Sequence, residues 1–179
     1  MTQRAIVYGE ALYDLASAEN LSGEILGQIA VLEESFRQEP AFLKLLQSPN
    51  LSKQERCDII DGSFRGKVHQ YVLNFLKILT EKGCICHYSQ CVKVYRDRYN
   101  VDHNILPVTA VTAVALTAAQ TDRLTEKLCQ LTGKTVTLTN RVDPGILGGV
   151  RLDYDGKRLD DTIAHRLDAV RSVLRSTVL

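Results

Sequence analysis

The sequence predicts a mainly α protein, with an N-terminal six-helix bundle followed by a small α/β domain. Two observations favour this fold class. Residues 2–104 contain few Pro or Gly, and their apolar side chains recur at spacings of three and four, as on one face of a helix. From Ile105 onward the chain becomes β-branched and alternating, which is typical of a half-buried strand. We therefore place the two domains at 1–104 and 105–179.

The first two predicted helices each have a continuous apolar face. The first runs from about Gln3 to Ala18, and its small residues would let another helix approach closely. Ser22 is the predicted cap of the second helix, which ends near Glu39 because the residue before a proline avoids helical geometry. The expected core stripe of the second helix is Ile25, Ile29, Leu32 and Phe36.

Four further helices are predicted from breakers and caps. A short third helix follows Pro40, and Ser52 with Glu55 three residues later forms a capping box for the fourth. Glycine is favoured just past a helix end, so Gly83 ends the fifth helix. The sixth extends to about Val101.

The second domain is predicted to have the order strand, helix, strand, strand, helix. The first strand covers about residues 105–117, and Thr117 caps a helix that buries Leu124, Leu128 and Leu131 and ends at Gly133. Residues 134–142 and 150–154 alternate as strands, separated by a turn at Asp143-Pro144-Gly145. Asp160, Asp161 or Thr162 would cap the last helix, whose stripe is Ile163, Leu167, Val170 and Leu174.

The bulk composition disfavours several functions. Net charge is +1, with 22 basic and 21 acidic residues interspersed, so we expect no nucleic-acid partner. No apolar run approaches the roughly 18 residues that cross a bilayer, and no signal-peptide layout is present, so we expect no direct membrane insertion and a cytoplasmic location. Without a secretory signal, the five cysteines are interpreted as reduced thiols.

The sequence contains no recognisable catalytic constellation. The phosphate-binding patterns G-x-x-x-x-G-K-[ST] and G-x-G-x-x-G do not occur, nor does the nucleophile pattern G-x-S-x-G. The four histidines are scattered along the chain. We therefore predict a protein that is not an enzyme and needs no cofactor.

The stretch from Val142 to Leu174 carries a family resemblance. Its pattern V-D-P-x-[IL]-[IL]-G-G-V, then a D-G turn, then L-D-x-T with R-L four residues on, resembles the C-terminal signature of the delta subunit of bacterial F-type ATP synthases. The mitochondrial relative is the oligomycin-sensitivity-conferring protein. Ala5-x-x-Tyr8-x-x-Ala11-Leu12 and Asn74-Phe75-Leu76 resemble the N-terminal domain of the same family. Cys84 departs from the pattern, since an arginine is expected there.

The resemblance implies a non-catalytic stator subunit of a proton-translocating ATP synthase. In relatives the N-terminal bundle, in part its first helix, binds the N-terminal helix of an alpha subunit, which points to Tyr8, Ala11, Leu12 and Leu15. The C-terminal domain of relatives meets the b-subunit stalk, which points to Arg166, Arg171 and Arg175 on the last helix. The expected location is the cytoplasmic face of a bacterial membrane, as a peripheral subunit.

Each of these surfaces has an alternative interpretation. The bundle itself could cover the whole apolar face of the first helix, and the arginines could be an ordinary solvated face. A different class of function follows from Cys84-x-Cys86-His87-x3-Cys91, because thiolate and imidazole are the ligands of tetrahedral zinc. The alternative prediction is a metal-binding regulatory or redox protein, against which stands the short spacing of the four donors.

Overall fold

The structure, a computed structural model, describes residues 2–48, 51–146, 148–163 and 165. It is mainly helical with a small α/β part, as the sequence predicts at that level, and its sheet has four strands where three were predicted. The chain divides into two compact units, Met1–Tyr99 and Asn100–Leu179. The predicted boundary between residues 104 and 105 coincides with the start of the first strand at Ile105, and as a domain boundary it stays a prediction.

Six α-helices and one short 3-10 helix precede the first strand in the described chain. The α-helices are α1 (Gln3–Ala18), α2 (Ser22–Gln38), α3 (Pro40–Leu46), α4 (Lys53–Phe64), α5 (Gln70–Glu81) and α6 (Tyr88–Asp102), and the 3-10 helix is Ile85–His87. Their buried side chains form one apolar cluster. Apolar spacing, helix breakers and caps together therefore located the six α-helices, whereas the 3-10 helix was not predicted.

The predicted helix ends are mostly confirmed. Ser52 and Glu55 form the capping box of α4, each side chain bonded to the backbone of the other residue. Gly83 has φ +67° just past α5, a conformation that costs glycine little. The predicted cap at Ser22 is wrong, because Ser22 is already the first residue of α2 and Leu21 stands at the cap position without a side-chain bond.

Two tyrosines and one glycine tie α6 to the other helices. The Tyr88 hydroxyl donates to the Ile29 carbonyl at 3.0 Å, and the Tyr95 hydroxyl donates to the Ser22 carbonyl at 2.9 Å. A Cβ atom on Gly9 of α1 would lie only 2.8 Å from the Cys91 carbonyl oxygen of α6. The expected close approach to the first helix is therefore confirmed, and it occurs at Gly9.

The second unit is built on a mixed sheet. Its strands are β1 (Ile105–Thr112), β2 (Thr135–Val142), β3 (Gly149–Tyr154) and β4 (Lys157–Thr162), in the spatial order β2-β1-β3-β4. β1 pairs in parallel with β2 and antiparallel with β3, while β3 and β4 form an antiparallel hairpin. Helix α7 (Ala118–Thr132) connects the parallel pair and contributes Leu124 and Leu128 to the apolar cluster with β1.

Several predictions for the second unit are corrected by the sheet. No strand is predicted at residues 157–162, which lead into the cap of the last helix. In the structure Lys157–Thr162 pairs with β3 across a two-residue turn in which Asp155 and Gly156 both have positive φ. The strand was missed because its charged side chains, which protect an edge strand, hide the alternation. Leu131 was assigned to the buried stripe of α7 but is 83% exposed, and β1 ends at Thr112 instead of near residue 117.

The predicted turns and caps of this unit have mixed outcomes. Thr117 caps α7 in a capping box with Gln120, and Gly133 ends the helix in the left-handed region. The Ile146 amide donates to the Asp143 carbonyl, which closes the predicted turn, although Gly145 does not have positive φ there. Thr162 accepts the amide of His165, as expected for a cap. The predicted last helix lies largely outside the described residues.

The close crossing of α1 and α6 gives a stability test with a matched control. We expect Gly9→Ala to lower the free energy of unfolding by about 1–3 kcal/mol, because its Cβ would press on the α6 backbone. Gly27→Ala in α2 is the control: no atom lies within 4 Å of its Cβ, so better helix propensity should raise the free energy of unfolding by up to about 1 kcal/mol. Urea unfolding measures both, and equal effects would contradict the close crossing.

Candidate partner-binding site

The four residues predicted on α1 differ in exposure. Leu12 is 4% exposed and belongs to the core cluster, so it offers almost no surface to a partner. Tyr8 is half-buried against the same cluster. Ala11 is exposed, and Leu15 is 55% exposed. Of the predicted set, Ala11 and Leu15 are therefore the available apolar side chains, with Tyr8 at their edge.

Contacts at both of its ends place α1 beside α5. The Tyr71 hydroxyl, at the start of α5, donates to the carboxylate of Glu19, which follows α1. At the other end the Arg4 guanidinium donates to the Cys84 Sγ, just past α5, at 3.8 Å. The beginning of each helix thus lies near the end of the other. The two helices are antiparallel neighbours.

Exposed apolar side chains lie on the flanks that these two helices turn toward each other. Residues seven apart in a helix lie on the same side. Ala11 therefore shares its side of α1 with Arg4, and Ile78 shares its side of α5 with Tyr71. Val7 and Leu15 continue the stripe on α1, one turn to either side of Ala11. We call Val7, Ala11, Leu15 and Ile78 the α1–α5 surface; their exposed fractions include 54% for Val7 and 43% for Ile78.

The α1–α5 surface has the composition of a helix-docking site. Two antiparallel helices leave a shallow groove between them, and apolar side chains along it can pack against the apolar stripe of a third helix. The α1 side chains of this surface are not part of the core. The face of α1 that is buried in the core consists of Ala5, Gly9, Leu12, Tyr13 and Ala16. The predicted set includes Ala11 and Leu15 of this surface, but it lacks Val7 and Ile78.

The cysteine and histidine cluster does not form a metal site. Cys84 and Cys91 are buried, whereas Cys86 is exposed and His87 is half-buried beside Thr2. Throughout the described part of the chain, no group of three or more His, Cys, Asp or Glu residues could hold a metal ion. The metal-binding alternative is therefore wrong. Cys84 and Cys91 are buried neighbours, whereas Cys86 is exposed and His87 lies beside Thr2, so the four donors do not meet at one point.

Burial also makes one of these thiols unreactive. It raises the pKa of the Cys91 thiol to about 11, and the neighbouring Cys84 adds to the effect. A raised thiol pKa keeps the sulfur protonated below that pH, so the thiolate that binds metals or attacks electrophiles is scarce near neutrality.

Thiol labelling tests the burial of Cys84 and Cys91 and the exposure of Cys86. At pH 8 we expect iodoacetamide to modify Cys86 rapidly, while Cys84 and Cys91 react only after unfolding in urea. Cys91 is protected because it is buried and because its raised pKa leaves only about one molecule in a thousand with a Cys91 thiolate at pH 8. Peptide mass spectrometry reads the labelled positions. Protection of Cys86 that a chelator removes would contradict the assignment and restore the metal site.

The predicted arginines of the last helix, Arg166, Arg171 and Arg175, lie outside the described residues. In the described part of the chain, no helix combines the length and apolar character needed to cross a membrane.

Comparison with known proteins decides the family. The model of the family described as ATP synthase delta (OSCP) subunit matches residues 5–174 of this chain. The chain belongs to this family. It is accordingly a non-catalytic, structural peripheral-stalk subunit of an F-type ATP synthase.

The alignments with two bacterial relatives cover more than nine tenths of each chain. The chain is 34% identical over 167 residues to the ATP synthase subunit delta of Alkaliphilus oremlandii, covering 93% of each chain. It is 29% identical over 172 residues to the subunit delta of Clostridioides difficile, covering 96% of this chain and 95% of the relative. A chain of the Toxoplasma gondii mitochondrial ATP synthase hexamer has the same fold, with a TM-score of 0.73, 20% identity and coverage of 97% and 98%.

Proposed function

We propose that this delta subunit joins the catalytic head of a proton-translocating ATP synthase to its b-subunit stalk. The observation that carries the proposal is the α1–α5 surface: a member of this family exposes an apolar stripe along two antiparallel helices, where a third helix can dock. We assign this surface to the N-terminal helix of an alpha subunit. The first unit thus acts as a six-helix bundle with Ala11 and Leu15 as its main α1 contacts.

The second contact is assigned to the C-terminal domain, residues 105–179. We propose that Arg166, Arg171 and Arg175 meet acidic or polar residues of the b subunit. Binding of each partner by a separate domain has a physical advantage. Once one contact forms, the other becomes intramolecular, so two modest affinities combine into a strong attachment.

The mechanical consequence is resistance to torque. A turning rotor would carry the catalytic head with it unless the head is held from outside. A subunit that binds the head with one domain and the stalk with the other prevents this rotation without catalysing any reaction. We place it on the cytoplasmic face of a bacterial cell membrane, attached through the complex.

Calorimetric titration of the full chain with a peptide copying the N-terminal helix of the alpha subunit from the same organism tests the head contact. We expect saturable one-to-one binding. Ala11→Arg should weaken it by at least about tenfold, because a charged side chain would have to be buried in an apolar contact. Ser17→Arg on another side of α1 is the matched control, expected to change the dissociation constant by less than about twofold.

Two results would contradict the head contact. One is failure of the unmodified chain to bind the peptide at high concentration. The other is an equal loss of affinity in the Ala11 and Ser17 variants while both remain folded by circular dichroism. In either case the α1–α5 surface would not be the site of the alpha subunit.

The stalk contact is tested by reversing the charge of Arg166, Arg171 and Arg175 together. We expect Arg→Glu at all three positions to abolish co-purification with the b subunit while leaving binding of the alpha peptide unchanged. The same reversal at Arg65, Lys67 and Lys93, all exposed in the first unit, is the control for the change in net charge. Retained binding of b by the C-terminal variant would show that the arginines are an ordinary solvated face.

A further inference from the structure

The two ends of the α1–α5 surface carry opposite charges. Arg4 and Lys82 are exposed at the end where α1 begins and α5 finishes. Glu19 is exposed at the opposite end, bonded to Tyr71, and Asp14 is exposed seven residues after Val7, on the same side of α1. The surface therefore has a basic end and an acidic end.

The other charged residues of α5 are engaged elsewhere. Lys77 pairs with Asp61 of α4 at 2.7 Å. The Glu81 carboxylate accepts a hydrogen bond from the Cys57 thiol of α4 at 3.7 Å. Both therefore turn away from α1, and they do not cancel the difference between the two ends.

The backbone dipoles of α1 and α5 do not favour either orientation of a helix docked on the surface. A helix has a partial positive charge at its N-terminus and a partial negative charge at its C-terminus. Because α1 and α5 are antiparallel, each end of the surface holds one N-terminus and one C-terminus, and their effects oppose each other. The side-chain charges are left to orient a docked helix.

We infer that the partner helix lies antiparallel to α1, with its C-terminal end beside Arg4 and Lys82 and its N-terminal end beside Asp14 and Glu19. The negative end of its dipole then meets the basic side chains, and the positive end meets the acidic ones. This orientation also selects partners with acidic residues in the last turn and basic residues in the first. The inference rests on the proposed function, because it concerns the same surface.

Cross-linking measures the orientation directly. The alpha-subunit peptide is made with a photoreactive benzoylphenylalanine either at its first or at its last helical residue, and each form is irradiated with the full chain. We expect the first-residue probe to label the region of Asp14, Glu19 and Tyr71. The last-residue probe should label the region of Arg4 and Lys82. Peptide mass spectrometry identifies the labelled residues.

The outcomes separate this inference from the proposed function. Saturable binding with the labelling reversed, or with both probes labelling both ends equally, would overturn the orientation and leave the alpha-subunit contact intact. Absence of saturable binding by calorimetry would overturn the proposed contact and the orientation together.

A charge exchange gives an independent readout. We expect Lys82→Glu to weaken binding of the unmodified peptide about two- to fivefold, the usual strength of one charge at a helix end. A peptide with an added lysine in its last turn should recover the affinity, whereas the same lysine in its first turn should not. Lys93→Glu, at an exposed site on α6, is the control and should have no effect. Recovery by the first-turn lysine alone would overturn the orientation.

Discussion

The close packing of α1 against α6 is the constraint on which the first unit depends. Gly9 lets the two helices approach until a single added Cβ would meet the α6 backbone. Only a narrow face of α1 is buried in this close packing, and its residues include Ala5, Gly9 and Ala16. The remaining apolar side chains of α1 therefore have no place in the core, and they stand beside α5, where a partner helix can reach them.

The link between α1 and α5 rests on contacts that differ in chemistry. At one end a tyrosine hydroxyl meets a carboxylate, and at the other an arginine meets a thiol. The arginine comes from α1, at Arg4, while position 84 itself holds cysteine. The departure of Cys84 from the family pattern therefore leaves a basic group at this end of the groove, supplied by a different helix.

The second unit shows how a small sheet is completed by a charged strand. β1 is an inner strand, with β2 on one side and β3 on the other, and α7 packs its apolar face on this part of the sheet. β4 is hydrogen-bonded only to β3 among the described strands. Its sequence of lysine, arginine and aspartate suits the edge of a sheet, where charge prevents pairing with other chains.

The sequence by itself determined the helices of the first unit, their main caps, three of the four strands and the family. These features depend on local rules: apolar periodicity, glycine or a capping box at a helix end, and a motif of fixed spacing. The fourth strand carried a local signal too, since Asp155-Gly156 is a typical hairpin turn, but charged residues masked the alternation after it. Only the tertiary structure decided that Leu12 is core, that Ile78 extends the surface and that Cys84, Cys86, His87 and Cys91 do not meet at one point. Those facts depend on which helix packs beside which, and that is set by contacts between residues far apart in the chain.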